Sequence, residues 1–145
     1  MIPTSIPVLS LYGRLLVSLQ GEVTDGQMEE LTRDVLTKIA STSARGVVID
    51  ASGVSTMDSH LCAVLGRLAE ASRLMGAAPV LCGLNPSIVM TLQTMGIDLE
   101  GIDTALGLEE SLERLGLRVI DELDGDDVKD DRWDSADDLL GDDRA

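Results

Sequence analysis

The apolar positions along this chain switch between two periods. Val8-Leu9-Ser10-Leu11-Tyr12 and Leu15-Leu16-Val17-Ser18-Leu19 are strand-like stretches flanking Gly13-Arg14. A two-residue centre containing glycine predicts a tight hairpin. From Gly26 to Ala40, the residues Met28, Leu31, Val35, Leu36 and Ile39 recur at the spacing of one helix face. Thr24 or Asp25 stands where a cap belongs. Val47-Val48-Ile49 is a continuous apolar run, the mark of a strand covered on both sides. A helix is predicted from about Ser59 to Met75, with a stripe of Leu61, Val64, Leu65, Leu68, Ser72 and Met75 and a stop at Gly76. Gly66 falls inside it, at a cost of about 1 kcal/mol relative to Ala, which points to a close backbone approach.

Pro79 to Gly83 reads as another strand. Asn85-Pro86 is an N-cap followed by proline at the first helical position. That helix carries Ile88, Val89, Leu92 and Met95 and stops at Gly96. A short strand over Ile102 to Leu106 follows. The last helix carries Leu108, Leu112 and Leu115 and runs on toward Val119, Ile120 and Leu123, with Gly116 weakening its middle.

The order β-β-α-β-α-β-α-β-α implies an α/β fold: a mixed, mostly parallel sheet with packed helices and an antiparallel first strand. The chain's 145 residues suit one domain, and no internal repeat is present. Composition breaks near residue 121. Residues 121 to 145 hold eleven Asp and one Glu against one Lys and two Arg, so this segment carries −9 of the net −15. A stretch this acidic and this poor in apolar side chains does not order itself. The expected organisation is a folded domain over 1–120 and a disordered acidic tail over 121–145. Within the tail, Trp133 and Leu139-Leu140 surround Ser135-Ala136-Asp137-Asp138, which leaves two readings, a solvating tail or a short helix ordered by a partner.

Charge and composition exclude several functions. A net −15 repels phosphate backbones and anionic lipids. With one Trp, one Tyr and no Phe there is no base-stacking platform, so direct nucleic-acid binding is not expected. No apolar run reaches the roughly 18 residues that span a bilayer, and the N-terminus lacks the pattern of a secretory signal, so a cytoplasmic protein is expected. Cys62 and Cys82 lie in apolar segments, spaced for no zinc site, and read as buried reduced thiols. No metal or cofactor is expected.

Met57-Asp58-Ser59-His60 sits at the junction between the Val47–Asp50 strand and the helix after it. Asp, Ser and His are the residue types of a hydrolytic triad, but neighbours at a helix start point about 100° apart and do not form one. His60 is the chain's one histidine, so no distant imidazole base exists. Asp50 ends a strand as the phosphoacceptor of a receiver domain does. The first strands supply no acidic Mg²⁺ partners, however, and the two lysines, Lys38 and Lys129, are badly placed. No glycine-rich phosphate cradle occurs. An enzyme is not expected. Two readings of Ser59 remain: a helix cap or first-turn residue, or the acceptor of a phosphoryl group from a separate kinase. The amides and positive dipole end of the helix would hold that group in place.

The sequence resembles the RsbS-type STAS family. The likeness runs through Ile6–Tyr12, Leu15–Gln20, Gly46–Asp50, Met57-Asp58-Ser59, Val64-Leu65-Gly66, Ser72–Ala77, Val80–Pro86, Thr91-Leu92, Met95-Gly96-Ile97, Ile102–Leu106 and Leu108-Glu109, over about residues 5 to 116. It implies a single STAS domain acting as a non-enzymatic anti-sigma factor antagonist of the stressosome. Its implied partners are RsbR-type STAS proteins, an RsbT-type serine/threonine kinase that it sequesters, and an RsbX-type phosphatase. Its implied phosphoacceptor is Ser59, and phosphorylation there releases the kinase. The same face assigns Met57, Asp58, Ser59, His60, Leu61, Asn85 and Pro86 to partner binding, because loops that follow parallel strands share one edge. Two alternatives stand beside this: a SpoIIAA-type antagonist that binds an anti-sigma factor kinase one-to-one, and a small-molecule-binding STAS module. His60 departs from the family, which favours a larger apolar residue after the serine, and the acidic extension has no counterpart there.

Overall fold

The computed structural model describes residues 5–97 and 102–118 and, for the backbone alone, 119 and 128–130. Strand β1 (Val8–Leu11) turns into β2 (Arg14–Gln20), followed by α1 (Asp25–Thr42), β3 (Gly46–Gly53), α2 (Ser59–Leu74), β4 (Ala78–Cys82), α3 (Pro86–Thr94), β5 (Asp103–Ala105) and α4 (Leu108–Arg114). Two further strands, β6 (Leu117–Val119) and β7 (Val128–Asp130), pair antiparallel with each other. The main sheet has the order β1-β2-β3-β4-β5. Its first pair is antiparallel and the other three pairs are parallel, as the element order implies.

Alternation along the strands divides the core in two. Leu15, Val17, Leu19, Val47, Ile49 and Leu81 face α1, α2 and α3 in one cluster, where Met28, Leu31, Leu65, Leu68, Ile88 and Leu92 meet them. On the opposite face Val48 and Cys82 pack with Leu112 and Leu117. An apolar run such as Val47-Val48-Ile49 thus feeds both layers. Each such aliphatic side chain contributes about 1.5–3 kcal/mol on burial. α1 begins with a reciprocal capping box, Thr24 accepting from the Gln27 amide while Gln27 accepts from the Thr24 amide. Thr24 rather than Asp25 is therefore the cap.

Three local expectations change. The hairpin centre is Tyr12-Gly13, not Gly13-Arg14: both residues have positive φ (49° and 78°), as a primed turn requires. Arg14 instead starts β2 and is buried at 3% exposure, and its guanidinium donates to the Leu115 carbonyl from Nε at 3.0 Å and Nη2 at 2.6 Å and to the Tyr12 carbonyl from Nη1 at 2.6 Å. Gly66 does admit a close neighbour, but it is a side chain: an added Cβ would lie 2.9 Å from Ile97 Cγ2.

The last helix is shorter than its apolar spacing predicts. Gly116, at φ 91°, ends it in a left-handed turn. Leu117 then enters the second core and starts β6, where a continued helix would have carried it elsewhere. Ile120 and Leu123 lie outside the described residues. So does the expected acidic tail over 121–145, with its boundary at 120/121, apart from Val128–Asp130, which form β7.

Replacing Arg14 by Ala leaves the Leu115 carbonyl without these donors inside a packed layer. Urea denaturation is expected to show a loss of about 2–3 kcal/mol. Arg14→Lys is expected to recover only part of it, because an ammonium does not reproduce the planar fork.

Candidate functional site

Parallel pairing of β2 through β5 sends every strand-to-helix loop to the same end of the sheet. Residues 54–58 connect β3 to α2 there, and residues 83–85 connect β4 to α3. Asp58, not Ser59, is the α2 cap: its Oδ1 accepts from the Leu61 amide at 2.8 Å while its carbonyl accepts from Cys62 at 3.0 Å. Ser59 is the first helical residue, exposed, and its hydroxyl makes no hydrogen bond among the described residues. The amides of Ser59 and His60, in the first turn, have no intrahelical partner. An oxygen is thus held at a helix start without being used for the cap.

Two glycine and asparagine contacts draw the neighbouring loop against this one. Gly83 has φ 71°, and a Cβ there would fall 2.7 Å from the Ser52 backbone nitrogen, so only glycine lets the end of β4 pass this close to the end of β3. Asn85 caps α3 by accepting from the Ile88 amide at 3.0 Å. Its Nδ2 donates in the other direction, to the carbonyls of Val54 at 3.1 Å and Ser55 at 2.8 Å.

The residues assigned to partner contact separate into two groups. Asp58, Ser59, His60 and Pro86 are exposed. Met57 and Leu61 are not surface contacts: at 7% and 8% exposure both belong to the core beneath the loop, because the cap turns these two apolar side chains inward on either side of Ser59. Asn85 spends its amide within the fold. His60 places Nε2 3.8 Å from Asp25 Oδ1, joining the starts of α1 and α2 when the imidazole is protonated.

Val89 and Met95, expected in the core of α3, stand 36% and 38% exposed, beside Met90 at 65%. The nine-residue α3 buries Ile88 and Leu92 alone, so its other apolar residues form a surface. The signal was in the sequence: residues 79–97 contain no Asp, Glu, Lys, Arg or His in a chain of net charge −15. Next to this surface, Leu84, Val89, Leu92, Ile97, Thr104 and Leu106 help line a groove of about 470 Å³ between α3 and the β5 edge. Charge at the loop end is of one sign. Glu22, Asp25, Asp50 and Asp58 lie on or beside its loops, and residues 15–32, 46–66 and 79–113 contain no Lys or Arg. Among the described residues no cluster of three or more His, Cys, Asp or Glu is placed to hold a metal ion, and no helix is long and apolar enough to cross a membrane.

The model of the STAS domain family matches residues 6–114. The chain belongs to the STAS family, in its RsbS-type branch. An RsbS from Moorella thermoacetica, solved with a serine-to-glutamate substitution, superposes with a TM-score of 0.69 at 31% identity, over 76% of this chain and 93% of its own. A chain from the molecular architecture of the stressosome, described as a signal integration and transduction hub, superposes with a TM-score of 0.65 at 29% identity, over 75% of this chain and 95% of its own. The RsbT co-antagonist protein RsbRC of Bacillus subtilis (strain 168) is 31% identical over 68% of this chain and 35% of its own length. This STAS chain spans between 35% and 42% of the length of the RsbT co-antagonist relatives it matches.

Both cysteines of the STAS domain are free and buried. Burial first, and then the Asp58 carboxylate, pushes the Cys62 thiol above its ordinary range. Burial likewise dominates at Cys82, which is raised despite the opposing effect of the nearby Ser111 hydroxyl. Folding therefore favours the protonated thiols: this contribution is full below the ordinary thiol pKa and falls as pH rises through the raised one. At pH 8 a maleimide is expected to label the folded chain slowly and the urea-unfolded chain at once. Removing the cap with Asp58→Ala is expected to cost about 1 kcal/mol in thermal unfolding, whereas Asp58→Asn, which still accepts from the Leu61 amide, costs a few tenths.

Proposed function

We propose that this chain is a non-enzymatic cytoplasmic scaffold that holds an RsbT-type serine/threonine kinase and releases it when Ser59 is phosphorylated. The observation that carries the reading is the position of Ser59: exposed, first in α2, and relieved of the capping role by Asp58. A phosphate there gains the free first-turn amides and the positive end of the helix dipole, so the domain accepts the group without unfolding. The added charge of about −1.5 to −2 falls on an end of the fold with no Lys or Arg in its loops. A partner seated on that end, with its rim against the uncharged face of α3, then meets a desolvated dianion. The backbone need not move for binding to be lost.

Likeness to RsbS and to RsbT co-antagonist proteins supports RsbR-type STAS proteins as co-assembling partners and an RsbT-type kinase as the captured one. An RsbX-type phosphatase would reset the site. Size-exclusion chromatography with an RsbR-type protein separates this reading from a SpoIIAA-type antagonist: a very large particle is expected here, a one-to-one complex with a kinase there. The groove beside β5 favours a second reading, a small-molecule-binding STAS module, for which a reproducible ligand co-purifying with the chain is the expected sign.

The deciding experiment combines the chain with its cognate kinase and Mg-ATP and maps the modified residue by mass spectrometry. Label is expected at Ser59. Ser59→Ala is expected to abolish it while kinase capture persists, and Ser59→Asp is expected to weaken capture roughly tenfold or more. Capture of Ser59→Asp as tight as that of the wild-type chain, or a Ser59 that stays unlabelled, would overturn the proposal.

A further inference from the structure

The end of the fold that carries Ser59 also presents other hydroxyls. Ser52, Ser55, Thr56 and Ser87 are all exposed there. A kinase approaching this end meets several acceptors within one short stretch, and Ser59 has no charged flank on its C-terminal side to mark it except His60. What distinguishes the candidates is how their backbones are held. Ser59 starts a helix fastened by the Asp58 cap. Ser55 and Thr56 lie in the connection before it, which has no helical or strand ladder of its own. The side-chain hydrogen bonds that reach it from a residue distant in sequence, among the described residues, come from Asn85, 30 and 31 residues away.

We infer that Asn85 is a positioning residue that selects Ser59 as the acceptor by pinning the 54–58 connection to the start of α3. This rests on the phosphorylation reading above. The geometry is specific to an amide. Its oxygen is committed to the Ile88 amide and its nitrogen to the Val54 and Ser55 carbonyls, so one side chain satisfies three backbone groups on two elements. Tied at two successive carbonyls, the backbone on either side of Ser55 does not lift into a kinase cleft. The same ties set the path of the chain into Asp58 and hence the height at which α2, and Ser59 on it, begins. In the transfer itself, the Ser59 Oγ–phosphorus bond forms as the γ-phosphorus bond to the bridging oxygen of ATP breaks. ADP leaves and the hydroxyl proton passes to the kinase's base. Asn85 touches none of these atoms and acts through the loop.

Asn85→Ser separates the two roles. A serine still caps α3 and stays neutral, but its hydroxyl is too short to reach both carbonyls. Asn85→Asp serves as a second variant if the first folds poorly: it keeps the shape and the capping oxygen and removes both donors. With the full chain, hydrogen exchange of the Val54 amide, which donates to the Ala51 carbonyl where this connection begins, is expected to quicken about tenfold in either variant, the scale of losing two ordinary hydrogen bonds from the loop, while the Leu92 amide in α3 is unchanged. With cognate kinase and Mg-ATP, the wild-type chain is expected to carry its label at Ser59, and the variants to move a tenth or more of it to Ser55 or Thr56. General destabilisation lowers total labelling and the melting temperature without moving label between sites. Unchanged exchange of the Val54 amide, or an unchanged distribution of label in variants of a chain that is labelled at Ser59, overturns the inference and leaves the proposed function standing. A wild-type Ser59 that stays bare overturns the proposed function and this selection with it.

Discussion

Backbone pairing between parallel strands is the constraint on which the rest depends. From β2 to β5 every strand enters the sheet from the same end, because each is returned there by a helix. The ladder therefore delivers the loop before α2 and the loop before α3 to one edge, although 30 residues separate them. Gly83 then lets the two strand ends approach to within contact of the Ser52 backbone, and Asn85 closes the remaining distance with hydrogen bonds. Burial on both sides of the sheet supplies the force that keeps the ladder assembled. The larger cluster lies under α1, α2 and α3, and a smaller one lies under α4 and is tied at its margin by Arg14.

The start of α2 divides its work between neighbours. Asp58 takes the cap with its carboxylate, and Met57 and Leu61 turn into the core on either side. Ser59 is left with an exposed hydroxyl beside free amides. That division bears on the proposed modification, since a serine already engaged in capping would have to break a stabilising bond before being modified. The surroundings add contrast. Acidic groups crowd the loop end, whereas α3 presents an uncharged face carrying Val89, Met90 and Met95. Under the proposed phosphorylation of Ser59, the attractive apolar part and the repulsive charged part would lie on different elements and change independently.

Much of this was readable along the chain. Helical spacing located α1, α2 and α3, continuous apolar runs located β3 and β4, and the alternation of elements gave the parallel sheet. Turn and cap chemistry was less legible. Two adjacent residues, Asp58 and Ser59, are both good caps, and only the geometry shows which one bonds the Leu61 amide. The periodic residues Leu112 and Leu115 argued for a helix continuing past Gly116, where the left-handed conformation at Gly116 and the burial of Leu117 ended it. Arg14, a charged residue next to a glycine, has the look of a turn residue until its guanidinium is seen buried against the Leu115 carbonyl just past the end of α4.

The linear sequence by itself determined the class of fold and the sign of the charge around the start of α2, since these follow from periodicity, residue type and composition. Which apolar residues of α3 and of the 57–61 segment face outward was decided by tertiary structure, and so was the fastening of one loop to another by Asn85. Periodicity specifies that a helix has an apolar side. It does not specify how much of that side a neighbouring element covers, nor which carbonyls, distant in sequence, come within 3.1 Å of an amide.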